Sequence, residues 1–184
     1  MSLNKGVLFF FLCFLLNACQ EEKKSSLPPG VKPFELDGAS EQVLLAFDNG
    51  SHKLSVFTDE SSKQKIAEIE FHPNGQPKIH KRFENDSLNG ESWCYYEDGK
   101  PWSLNTFKNG INDGPYQTWH ENGQLYINGS YKNGKEEGEW FIYYPSGNLN
   151  TRGMYKDGAK VGIWSSYNLE GTMRREQDFS KPIE

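Results

Sequence analysis

"EGEWFIYYPSGNLNTRGMYKDG", residues Glu137–Gly158, places five aromatic residues and four glycines in one short stretch with no evident catalytic group. The run Glu139–Tyr144 is aromatic and β-branched, a composition that fits a pleated, half-buried strand. Pro145-Ser146-Gly147 follows, with proline pre-setting φ and glycine supplying the left-handed residue that a hairpin exit requires. A second strand is predicted over Leu149–Tyr155, where Leu149, Thr151, Gly153 and Tyr155 share one face by the period of two. Lys156-Asp157-Gly158 then turns the chain again. The stretch reads as one β-hairpin with its exit.

The chain writes this hairpin repeatedly. Gly90, Gly114, Gly138 and Gly162 stand 24 residues apart, and so do the turn glycines Gly75, Gly99, Gly123, Gly147 and Gly171. Two aromatic columns keep the same interval: Phe71, Tyr95, Trp119, Tyr143, Tyr167, and Phe83, Phe107, Tyr131, Tyr155, Phe179. Four columns in one register define five tandem units over 66–179. Two strands per unit predict an all-β fold, a single twisted antiparallel meander of about ten strands. Ile66 and Asp86 stand at glycine positions in the first unit, and Glu170 replaces the turn Asn or Asp in the last, as terminal repeats allow. Residues 34–65, with "QVLLAFDNGSHKLSVF", are predicted to form a degenerate capping hairpin about Asn49-Gly50, leaving 180–184 as a tail.

The units "GPYQTWHENGQLYINGSYKNG" and "GEWFIYYPSGNLNTRGMYKDG" resemble the MORN repeat in its bacterial variant, whose members carry the label YwqK-like antitoxin. The resemblance covers about 66–179 and implies a repeat scaffold that binds other proteins, with an antitoxin-like or immunity-like role attached to the label.

The N-terminus belongs to another class of signal. Lys5 precedes an apolar run from Val7 to Leu16, too short to span a bilayer but suited to a signal-peptide core. Leu16-Asn17-Ala18-Cys19 resembles the lipobox of bacterial lipoproteins, which implies cleavage after residue 18 and lipidation of Cys19. Residues 19–33, through "QEEKKSSLPPGVKP", are too polar and proline-bearing to pack, and serve as a flexible tether that reaches about 45 Å when extended. Glu21-Glu22 resembles the short signal that sends lipoproteins of Bacteroidota to the cell surface. The expected location is the bacterial envelope, lipid-anchored at the outer membrane, on its periplasmic or surface side.

Composition narrows the remaining classes. The 184 residues carry a formal charge of −5, and removing 1–18 takes only Lys5, so the mature chain would stand at −6. That sign disfavours nucleic acid. Of three cysteines, Cys13 would leave with the signal and Cys19 would carry lipid, so Cys94 has no partner for a disulfide. It occupies the strand position of Thr118, Ile142 and Ser166 and is expected to pack.

No phosphate loop, Gly-x-Ser-x-Gly or paired CxxC motif is present. His72 and His120 sit four strands apart, roughly 19 Å, too far to share a metal, and are expected beside turns in solvent. His72 and His80 flank one turn without an evident third ligand. Neither a catalytic residue, a metal nor a cofactor is expected.

The aromatic columns are expected to stack along the sheet. Trp93, Trp102, Trp140, Tyr144 and Trp164 fall outside them and are the candidate binding residues, since a single sheet leaves some rings exposed. The reading is a lipid-anchored, non-enzymatic interaction module with a protein partner. A glycan or cell-wall binding module is the second reading, requiring exposed tryptophans along one groove. An envelope hydrolase is the third, requiring a pocket that joins His72, His80 and carboxylates. For the anchor, Cys19→Ser should leave the chain unacylated and out of the detergent phase on Triton X-114 partitioning; a variant that partitions like the parent removes the lipobox assignment.

Overall fold

The computed structural model describes Leu36 and residues 38–180; Cys19, the tether and 181–184 lie outside them. The strands are β1 (Ala39–Ala46), β2 (His52–Asp59), β3 (Lys65–Phe71), β4 (Pro77–Glu84), β5 (Ser87–Leu88), β6 (Gly90–Tyr95) and β7 (Pro101–Lys108). They continue as β8 (Ile111–Trp119), β9 (Leu125–Lys132), β10 (Lys135–Glu136), β11 (Gly138–Tyr143), β12 (Leu149–Lys156), β13 (Ala159–Tyr167) and β14 (Met173–Asp178). All fourteen join one antiparallel sheet, ordered β1-β2-β3-β4-β6-β7-β8-β9-β11-β12-β13-β14, with β5 against β4 and β10 against β9.

The meander agrees with the sequence. Over the five units it has ten long strands, two per unit, and the added count has a local cause. After the second strand of each of the first four units the chain reverses through a two-residue turn with both φ angles positive, as at Asn109 (51°) and Gly110 (80°). That geometry matches the twist of a tight hairpin, and it lets a short return segment pair before the next long strand begins. In β8 and β13 the return segment and long strand are continuous; β5 and β10 are return segments cut off from theirs. Asp86, at a glycine position, adopts φ 60° in the same turn. The N-terminal hairpin β1–β2 continues the sheet by pairing β2 with β3.

A sheet of one layer has no second layer to bury against, so each face makes its own core. On the first face Trp93, Tyr95 and Leu104 form a buried cluster with Trp119 packed beside it. Trp93 stacks on Tyr95 at 6.3 Å and on Trp119 at 5.8 Å. His80 joins this cluster edge-on to Tyr95, and burial drops its imidazole pKa to about 4, so it is neutral at pH 7.

On the second face a chain of rings runs from Tyr116 through Tyr131, Trp140, Tyr155 and Trp164 to Phe179, with neighbouring centroids 5.0–6.4 Å apart. The tryptophans lie flat over glycines of the preceding strand. A Cβ added at Gly129 would come within 2.4 Å of the Trp140 ring, and one at Gly153 within 2.1 Å of Trp164. The glycine makes room for the largest side chain on its neighbour. Gly129→Ala should therefore lower stability by about 1–3 kcal/mol through overpacking. Urea unfolding would show it, with a smaller loss in a Trp140→Phe background; an unchanged midpoint would mean that the ring is not seated on that glycine.

Candidate interaction surface

Every long hairpin carries a bulge just after its turn, and the bulge decides what the turn edge displays. Between β6 and β7, Cys94 pairs with Ser103 and Tyr95 with Pro101, which leaves Trp102 as the extra residue. The same shift leaves Lys78, Tyr126, Asn150 and Arg174 unpaired in the other units. A bulge re-aims its side chain and frees it from the alternation of the ladder. The five positions form a row across the sheet at one end of the strands. Trp102 is 52% exposed and Tyr126 41% exposed.

A second row supports the first from beneath. It reads His72, Tyr96, His120 and Tyr144, and each side chain donates to a backbone carbonyl of the following unit. The bonds are His72 Nε2 to Tyr95 (3.0 Å), Tyr96 Oη to Trp119 (3.0 Å), His120 Nε2 to Tyr143 (2.9 Å) and Tyr144 Oη to Tyr167 (2.9 Å). The ring of Trp102 sits 6.5 Å from that of Tyr96, and the ring of Tyr126 sits 4.5 Å from that of His120. Burial, with the Glu121 and Asp98 carboxylates adding to it, pushes the Tyr96 hydroxyl above its usual range and keeps it a proton donor.

Asn74 and Asn122 repeat the tie at the turn tips, donating to the carbonyls of Glu97 and Pro145 at 2.7 Å. Between Trp102 and the preceding unit lies a cleft of about 300 Å³, with Ile79 and Cys94 in its lining and Lys78 and Glu97 among its polar residues.

The candidate aromatics separate on this geometry. Trp93, Trp140 and Trp164 are buried, at 8%, 8% and 7% exposure, and the expectation that they stand partly exposed does not hold for them. Tyr116, Trp140 and Trp164 share one position 24 residues apart, and the two tryptophans pack edge-on between rings of the second column. Tyr144 is half-buried and its hydroxyl is spent on Tyr167. Trp102 alone of the five stands open.

His72 and His120 are corrected as well: they are ties between units rather than solvated side chains. His80 faces the opposite side of the sheet from its neighbour Ile79, which lines the cleft with His72. No group of three or more His, Cys, Asp or Glu among the described residues is placed to hold a metal ion. Tyr126 was missed by counting columns, although it lies 24 residues after Trp102 in the same register.

Three consecutive segments, 88–109, 112–133 and 136–157, match the family model described as MORN repeat variant. Together the matched segments lie within residues 88–157. Each matched segment holds one long hairpin of the sheet and one member of the bulge row: Trp102, Tyr126 or Asn150. No curated protein matches the sequence significantly.

Among solved structures, TarM aligns with 11% identity and a TM-score of 0.31. A mutant of S. aureus TarM in complex with fondaparinux, alpha-GlcNAc-glycerol and UDP aligns at 11% and 0.27. Both alignments cover 68% of this chain and 21% of TarM, so the chain spans about a fifth of that protein. A likeness at that level bears on neither the fold nor the function of this chain.

The burial pattern makes the tryptophans distinguishable by experiment. Trp93→Ala and Trp140→Ala should each cost about 3–5 kcal/mol, and Trp119→Ala less because that side chain is only partly buried. Trp102→Ala should cost under about 1 kcal/mol. Thermal melts of the four variants check this, and a Trp102→Ala that melts with Trp140→Ala would place Trp102 in the core.

Proposed function

We propose that the chain is a lipid-anchored, non-enzymatic repeat module of the bacterial envelope that presents its bulge row to a protein partner. One observation carries the reading. The ladder has spent its other large rings on packing or on ties to the next unit, whereas Trp102 and Tyr126 remain open on rigid mounts. Exposed aromatics held on a preordered sheet lose little entropy when they dock, which is what an anchor residue at an interface requires.

The commitments of the candidate groups support the non-enzymatic reading. His72 and His120 are bonded to backbone carbonyls, and His80 is in the core. Cys19 and the tether would hold the sheet at the membrane while letting it reach outward. An antitoxin-like or immunity-like role is the finer version of this reading and rests on the resemblance of the repeats.

Site-specific photo-crosslinking in the native host tests it. A benzophenone side chain at Lys78, in the bulge row, should give a discrete protein adduct. The same group at Lys132, at the opposite end of the strands, should give none. Equal labelling from both positions, or none from Lys78, counts against the turn edge as the interaction surface.

A further inference from the structure

The bulge row has a spacing, a charge and a cleft, and together they specify the chemistry of an occupant. Trp102 and Tyr126 lie on β7 and β9, two strands apart, which puts them about 9.6 Å from each other along the row. A polyproline II helix repeats every three residues, or about 9.3 Å. A peptide in that conformation laid across the strands therefore offers the same face to both rings. The cleft beside Trp102 receives one apolar group: Ile79, Cys94, Tyr96 and Trp102 line it, and a prolyl ring stacks on indole without needing hydrogen bonds.

The charge around the rings is mixed with an acidic excess: three carboxylates stand against Lys78, which shares the cleft, and Lys100, whose Nζ also donates to the Glu121 carbonyl. Glu97, Asp98 and Glu121 occupy the turn tips beside Trp102 and Tyr126. Asp98 is paired, with Lys100 Nζ 2.6 Å from its carboxylate. Glu97 has His72 Nδ1 at 4.0 Å as its ion-pair partner among the described residues, and its side chain is 75% exposed. Glu121 has no ion-pair partner among the described residues. Two open rings flanked by the Glu97 and Glu121 carboxylates suit a guanidinium, which stacks on an aromatic face while its fork meets a carboxylate.

A saccharide fits less well, because its hydroxyls need polar partners. The amides of Asn74 and Asn122 and the His72 Nε2 donor are already used on backbone carbonyls.

We propose that the row of Trp102 and Tyr126 docks an arginine-bearing, proline-rich peptide in an extended conformation, with a prolyl ring in the cleft beside Trp102 and arginines against Glu97 and Glu121. This rests on the protein-partner reading above and names the segment that such a partner would offer.

The test is titration calorimetry of the full chain against four probes: a repeating Arg-Pro-Pro peptide, a repeating Glu-Pro-Pro peptide, a repeating Arg-Gly-Ser peptide and a chito-oligosaccharide. Saturable binding is expected for Arg-Pro-Pro, weakened about tenfold or more by Trp102→Ala and by the pair Glu97→Gln, Glu121→Gln, with melting temperatures unchanged. Equal binding of Glu-Pro-Pro would remove the role of charge, and equal binding of Arg-Gly-Ser would remove the role of proline; either result overturns the proposal. So does failure of Arg-Pro-Pro to saturate, or preference for the oligosaccharide. If the Lys78 adduct forms in cells but survives Trp102→Ala, the peptide assignment fails while the interaction surface stands.

Discussion

A sheet one layer thick must find its core within each face, and the tryptophan laid over a glycine is how this one does it. An ordinary sheet buries side chains against a second sheet or a helix about 10 Å away. Here the only available cover is the neighbouring strand. Trp140 lies across Gly129 and Trp164 across Gly153, so the ring shields backbone that would otherwise face water. Tyrosines from the second column then close against the ring edges at 5.0–5.5 Å. Each such contact adds about 0.5–1.5 kcal/mol beyond the burial itself. The glycine, the ring and the tyrosine recur at Gly129 with Trp140 and Gly153 with Trp164, so this part of the array is stabilised by nearest neighbours.

The turn edge solves a different problem by similar means. Hairpin turns are the parts of a sheet most free to splay, since their backbone groups have few ladder partners. Alternating His and Tyr side chains stitch each turn to the next with bonds of 2.9–3.0 Å, always to the carbonyl 23 residues ahead. The Asn side chains at the tips repeat the stitch at 2.7 Å. Two residue types serve one position because both place a donor at the same reach from the strand. The result is an edge as fixed as the strands, and a side chain mounted there is preordered.

Much of this was legible in the sequence because the period is strict. Four columns at 24 residues define the hairpins, the turn glycines and the meander without reference to any contact. What escaped was anything that depended on which face a ring takes. Trp140 and Trp164 were set apart because Ser92 holds their position in the second unit. Only the structure shows that a ring there needs a glycine beneath it, and that Asn105 stands where the next units have Gly129 and Gly153. The bulge also defeats the simple period of two. By alternation Trp102 would share the buried face of Leu104, yet the extra residue between Tyr95–Pro101 and Cys94–Ser103 turns it outward. The histidines were misread because a donor beside a turn looks solvated until its acceptor, 23 residues away, is in view.

The bulge row differs from the columns in what selection of residue type means there. At a column position the neighbour dictates a ring: a small side chain would open a gap on that face. At a bulge position the ladder dictates nothing, since the residue lies outside its pairing, and the row runs Lys78, Trp102, Tyr126, Asn150, Arg174. A position that packing leaves free carries aromatics only in the second and third units, and the adjoining turn tips carry Glu97 and Glu121 in those same two units. Exposed indole and phenol faces cost solvation without helping the fold. Their confinement to the second and third units, beside Glu97 and Glu121, is a pattern that stability alone does not produce.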